Sequence, residues 1–133
     1  MADLTVHVDD LTFDADWATE NEATRDAVEA ALPFEGDAAR WGEELYASVD
    51  VAASPETTGA EVDPGAIAYW PSGPAICLFW GPTPASHDDE PRAASPVNVV
   101  ARLDDHRDAV VDVRGVVAEV REDVRLVSQL AHL

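Results

Sequence analysis

Lysine is absent from this chain of 133 residues, and its 8 basic residues are all arginines. Against them stand 27 Asp and Glu, which leaves a formal net charge of −19 at neutral pH. Such a charge repels phosphate backbones and anionic bilayers, which argues against nucleic acid and membrane surfaces as partners. Cysteine is almost absent too. Cys77 alone allows neither an intrachain disulfide nor a CxxC metal site, and its run Ala75-Ile76-Cys77-Leu78-Phe79-Trp80 suits a small buried hydrophobe better than a nucleophile. No stretch approaches the ~18 apolar residues that a membrane span needs. The N-terminal MADLTVHVDD has neither the basic nor the apolar region of a signal peptide, so a cytoplasmic location is expected. GxGxxG, P-loop and GxSxG motifs are missing, and none of the 4 histidines stands four residues from another. No cofactor and no metal are expected. The run His87-Asp88-Asp89-Glu90 offers hard oxygen donors to a divalent cation, but in so acidic a chain it is expected as a solvated loop.

What remains is ordinary globular material, 47% hydrophobic and 26% charged, of a length that suits one domain. The domain is expected to span 1–133, with its barrel in about 3–103 and an extension over about 104–133. Acidic residues are spread along the whole chain. That distribution favours the surface of a salt-accumulating halophile, where molar salt shortens the screening length to ~3 Å, over an acidic interaction module or cation buffer.

Leu4, Val6 and Val8 alternate with Thr5 and His7, a half-buried strand, and a return strand follows from Leu11 to Asp14. Thr19 and Glu22 form a capping-box pattern that opens a helix over about 20–32, ended by Pro33. Strands are expected over Trp41–Val49, Ile67–Trp70, Ala75–Trp80 and Val97–Leu103, with Pro71-Ser72-Gly73-Pro74 as a hairpin-like connection. Pro82, Pro84, Pro91 and Pro96 keep 81–96 a loop. Val110, Val113, Val117, Val120, Val124 and Val127 recur at helical spacing. Although Val favours strands and Gly115 interrupts the stripe, a C-terminal helix is expected from about Val116. Short strands outnumber helices, which fits a mainly β fold, a small closed antiparallel barrel with one packing helix.

Counted by two from Trp41, Glu43 shares a strand face with Leu45, Ala47 and Val49. A carboxylate on an apolar face costs several kcal/mol unless paired or neutralised, so Glu43 is a candidate acid/base or ligand-holding group. The alternative is that it sits at a frayed strand start and reaches solvent. Trp41, Tyr46, Tyr69, Trp70, Phe79 and Trp80 cluster around it in sequence order. Most of them are expected in the core and one or two in a cleft wall. Asn98 is a buried amide that either binds a ligand or satisfies a neighbouring loop. The expected ligand-binding set is Trp41, Glu43, Tyr69, Trp70, Phe79 and Asn98.

The segments Trp41-Gly42-Glu43-Glu44-Leu45-Tyr46, Gly65-Ala66-Ile67-Ala68-Tyr69-Trp70-Pro71, Cys77-Leu78-Phe79-Trp80-Gly81-Pro82-Thr83-Pro84 and Ala94-Ser95-Pro96-Val97-Asn98-Val99 follow in this order. Together they resemble the small prokaryotic cyclophilin-like domain family, here in a haloarchaeal-type member. The resemblance covers roughly residues 3–103 and implies a barrel shorter than cyclophilin, with one helix before the WGEELY strand and a short final strand. It implies no established activity. True prolyl isomerases of this fold carry an arginine in a Phe-His-Arg strand, and here the strand reads Ala39-Arg40-Trp41-Gly42-Glu43-Glu44. The expected function is a binding module for a small molecule or extended peptide. The alternatives are a peptidyl-prolyl isomerase with altered residues and a small-molecule enzyme using Glu43 as its catalytic base.

Overall fold

The computed structural model describes residues 3–8, 11–32, 34–36, 39–53, 59–103 and 124–128. Strands β1 (Leu4–Val8) and β2 (Leu11–Trp17) form an antiparallel hairpin. In β2 the alternation holds, with Phe13 and Ala15 buried and Thr12 and Asp14 exposed, whereas in β1 Thr5 is buried along with Leu4 and Val6. Helix α1 (Glu22–Ala30) follows, then β3 (Phe34–Gly36), β4 (Ala39–Arg40), β5 (Glu44–Ser48), β6 (Ala66–Trp70), β7 (Ala75–Phe79), β8 (Asn98–Leu103) and β9 (Val124–Ser128). All nine strands join one sheet in the order β3-β9-β1-β2-β8-β6-β7-β5-β4, and every pairing is antiparallel.

The sheet's two edges are β3 and β4, which only residues 37 and 38 separate in the chain. Covalent geometry therefore keeps Gly36 and Ala39 within ~11 Å of each other. The sheet curls into a barrel whose ends are joined by the chain itself.

Two expectations are corrected. The segment Val124–Ser128 is not helical: β9 pairs antiparallel with β1 (Leu4↔Ser128 to Val8↔Val124) and with β3. The barrel thus takes up residues beyond 103, and the rest of the expected C-terminal helix lies outside the described residues. The helix cap is likewise not Thr19. Asn21 precedes the helix in a left-handed conformation (φ 56°), which Asn tolerates better than most residues. Its side chain caps nothing and instead donates to the Val99 carbonyl at 3.0 Å. Asn98 Nδ2 donates to Thr24 Oγ1 at 3.1 Å, so two amides tie α1 to β8, with Val28 seated in the core.

Buried apolar side chains form two clusters. One fills the barrel, with Leu4, Val6, Leu45, Ile67, Tyr69, Leu78, Trp80 and Val100 among its members. The other, of Ala66, Ala68, Ala75, Cys77, Phe79, Ala93 and Val97, lies on the opposite face of β6 and β7. That outer face is roofed by two loop segments. Val62 N–H donates to Pro91 O at 3.1 Å, Ala93 N–H to Ala60 O at 2.8 Å and Val97 N–H to Gly59 O at 3.0 Å. Arg92 pins the roof through Glu61 (3.1 Å) and Glu90 (2.9 Å).

Candidate functional site

The roof does not cover the outer face completely. Where it stops, a cleft of about 270 Å³ opens, lined by Trp41, Glu44, Tyr46, Trp70, Ala93 and Ala94. β5 supplies Glu44 and Tyr46, β6 supplies Trp70, the turn before β5 supplies Trp41, and the roof supplies the two alanines. In the ladder Glu44 stands opposite Phe79 and Tyr46 opposite Cys77, so all four side chains share the outer face.

Glu44 is only 5% exposed. Burial pushes its carboxyl up to about 7, and a hydrogen bond from the Cys77 thiol pulls the other way without offsetting it. The thiol is pushed well up in turn, by its own burial and by the neighbouring carboxyl. Cys77 is therefore a packed thiol that donates to Glu44 and not a thiolate nucleophile. Near neutral pH the Glu44 carboxyl exchanges readily between its neutral and ionised forms, among aromatic rings.

The mouth of the cleft is set by Gly42 (φ 62°). A Cβ there would stand 2.7 Å from Thr83 Cα, 2.9 Å from Pro84 Cδ and 3.0 Å from Pro82 O. Trp41 N–H donates to Glu44 O at 2.9 Å, and Glu43 N–H donates to Pro82 O at 2.9 Å. The WGEELY and GPTP segments thus meet backbone to backbone. Gly42→Ala is expected to cost about 2 kcal/mol or more, from left-handed strain plus the clash. Urea unfolding checks this against Gly59→Ala, whose added Cβ meets nothing within 4 Å and which should change little.

The structure brings Trp41 and Trp70 into the cleft, as expected, and rearranges the rest. Glu43 does not line it. The left-handed turn at Gly42 precedes Glu43, whose carbonyl accepts from Trp80 N–H at 3.1 Å while its own N–H donates to Pro82 O. Glu43 is half-buried, and the buried carboxyl is that of its neighbour. Tyr69 points to the other face, where its hydroxyl donates to Val51 O at 2.6 Å. Phe79 is fully buried in the outer cluster beside Glu44, a support of the cleft rather than part of its wall. Asn98 is fully buried and holds α1. Glu44, Ala93 and Ala94 join the cleft unexpectedly, and Tyr46 of the aromatic cluster stands in its wall because it shares the outer face of β5 with Glu44. The available signal was the unbroken apolar character of Ala75–Phe79, which marks a strand covered on both faces.

The acidic run at 87–90 serves the loop. Glu90 accepts from the His87 and Asp88 N–H groups at 2.8 Å each and from Arg92, and these bonds, that from His87 foremost and then that from Arg92, hold its carboxyl down at about 2. Among the described residues no group of three His, Cys, Asp or Glu side chains is placed to hold a metal ion. None of the helices there is long and apolar enough to cross a membrane.

A family model described as cyclophilin-like matches residues 2–121. The solution structure of the hypothetical protein AF2241 from Archaeoglobus fulgidus is similar, with 34% identity and a TM-score of 0.69, covering 95% of this chain and 93% of that one. The structure of McbB in complex with tryptophan is 12% identical with a TM-score of 0.66, and the likeness covers 95% of this chain but 44% of that one. At that identity it concerns the fold alone. No curated protein matches.

Proposed function

Because the chain belongs to the cyclophilin-like family, whose fold does not by itself prescribe a chemistry, we propose that it is a binding module for a small molecule, taken into the cleft of Trp41, Glu44, Tyr46 and Trp70. The observation that carries this reading is the Glu44 carboxyl, buried with no ionic partner among the described residues in the lining of an aromatic-walled opening. A group that costs stability in that position is kept where binding repays it. The cleft lies just below the ~300–1,000 Å³ of drug-sized sites, so it suits a small ligand or one side chain of an extended peptide.

Prolyl isomerisation by guanidinium polarisation has no support among the described residues, none of whose arginines lines the cleft. A second reading, acid/base catalysis on a small molecule, draws on the Glu44 pKa of about 7, near the value that serves both proton donation and acceptance at neutral pH.

A fragment screen read by tryptophan fluorescence and by the indole N–H signals tests the binding reading. Hits should shift Trp41 and Trp70 together and leave Trp17 unmoved. Trp70→Ala should weaken them about tenfold or more, since an aromatic wall of this kind supplies one to two kcal/mol or more of contact. Hits indifferent to Trp70, or a screen without hits, would remove the reading. Conversion of a hit over time, abolished in Glu44→Gln, would favour catalysis.

A further inference from the structure

The composition of the cleft selects among small molecules, given that it is a binding site at all. Three of its six lining residues are Trp41, Tyr46 and Trp70, two are alanines, and the sixth is Glu44. Aromatic rings attract cations through their quadrupole, most strongly where water is excluded. Among the described residues none that lines the cleft is basic, and the chain as a whole carries −19, so an anionic ligand meets repulsion both locally and at a distance. A neutral apolar ligand would fill the space but leave the ionised Glu44 desolvated and uncompensated.

Two kinds of cation fit less well. A metal ion would find one carboxylate and no second charged ligand among the described lining residues, whereas hard divalent ions take six or more oxygens. An unsubstituted ammonium brings three N–H donors that each need an acceptor. The cleft offers few: Trp70 Nε1 is a donor and is already committed to Ser95 Oγ at 2.6 Å, and the Tyr46 hydroxyl and Glu44 must supply the rest. That same bond fixes the Trp70 indole before any ligand arrives, so the wall is preorganised.

We propose that the cleft binds an organic cation whose charge is carried by a methylated ammonium, its methyl groups among Trp41, Tyr46 and Trp70 and its charge balanced by Glu44. The methyl groups have no hydrogen bonds to lose, and the aromatic rings and alanine methyls meet them as apolar surface.

Choline is the probe, titrated at constant ionic strength against its uncharged isostere, in which a tert-butyl group replaces trimethylammonium. Trp17 is an internal reference, because Arg25 already lies 5.2 Å from its ring centroid. Choline should shift the Trp41 and Trp70 indole signals and bind at least about tenfold more tightly than the isostere. Glu44→Gln should weaken choline about tenfold and leave the isostere unchanged, and Trp70→Leu should weaken choline comparably. Equal binding of choline and isostere would overturn the cation assignment and leave the binding-module reading standing. So would binding of neutral fragments without choline, or choline binding that ignores Glu44→Gln. Silence from choline, isostere and every fragment would remove both.

Discussion

Glu44→Gln is expected to stabilise the protein by about 3 kcal/mol above neutral pH and to change little below about pH 4.5. The folded carboxyl titrates at about 7 and the unfolded one at its ordinary 4.5, a gap worth about 3 kcal/mol. The folded state therefore holds the proton more tightly. Below 4.5 the carboxyl is neutral in both states and its burial costs little. Between 4.5 and about 7 the unfolded chain releases its proton while the folded chain keeps it, so stability falls as pH rises. Beyond that window the whole cost is present. Gln removes the charge, fills nearly the same space and still offers an oxygen to the Cys77 thiol. Urea midpoints of both proteins, measured from pH 4 to 9 in constant KCl, isolate Glu44 from the other carboxylates by difference. Parallel curves would show that Glu44 is solvated in the folded state. The same substitution should weaken ligand binding, so one residue is expected to trade stability for function.

Moving the protein from dilute buffer to molar KCl is expected to raise its melting midpoint by roughly 10 °C or more, since several kcal/mol corresponds to that shift in a domain of this size. A charge of −19 on 133 residues repels itself in the compact state, and shortening the screening length from ~10 Å at 0.1 M to ~3 Å removes most of that repulsion. Salt also weakens the ion pairs. Arg102 with Glu20 at 2.9 Å, Arg25 with Glu29 at 3.5 Å and Arg92 with Glu61 at 3.1 Å are all at least partly exposed. Exposed pairs contribute only about 0–1 kcal/mol each. Relief of repulsion should therefore outweigh their loss. Circular dichroism across a KCl series decides the matter, and a melting curve that does not move would remove the halophilic reading of the charge.

Local physics was enough for much of the barrel. Leu4, Val6, Phe13 and Ala15 alternate with polar neighbours, and a half-buried strand has no other way to satisfy both of its faces. The apolar runs at 66–70 and 75–79, with turn residues between them, left no alternative to a central hairpin. The WGEELY and GPTP segments, which carry part of the family resemblance, meet backbone to backbone at Gly42, where a side chain would not fit. Three features were decided only in three dimensions. Period two says that Glu43 and Glu44 point to opposite faces, but not which face is the interior. β5 is buried on its inner face at Leu45 and Ala47 and also on its outer face at Glu44, near the roof formed by residues 59–62 and 91–97. The valine spacing around Val124 and Val127 suits a helix taken alone, yet pairing with β1 and β3 satisfies the backbone of Val124–Ser128 as a strand. That partner lies more than a hundred residues away, beyond the reach of any local periodicity. Glu44 acquired its chemistry in the same way, since its identity is written in the chain but its desolvation exists only once Phe79, Cys77 and the roof have closed around it.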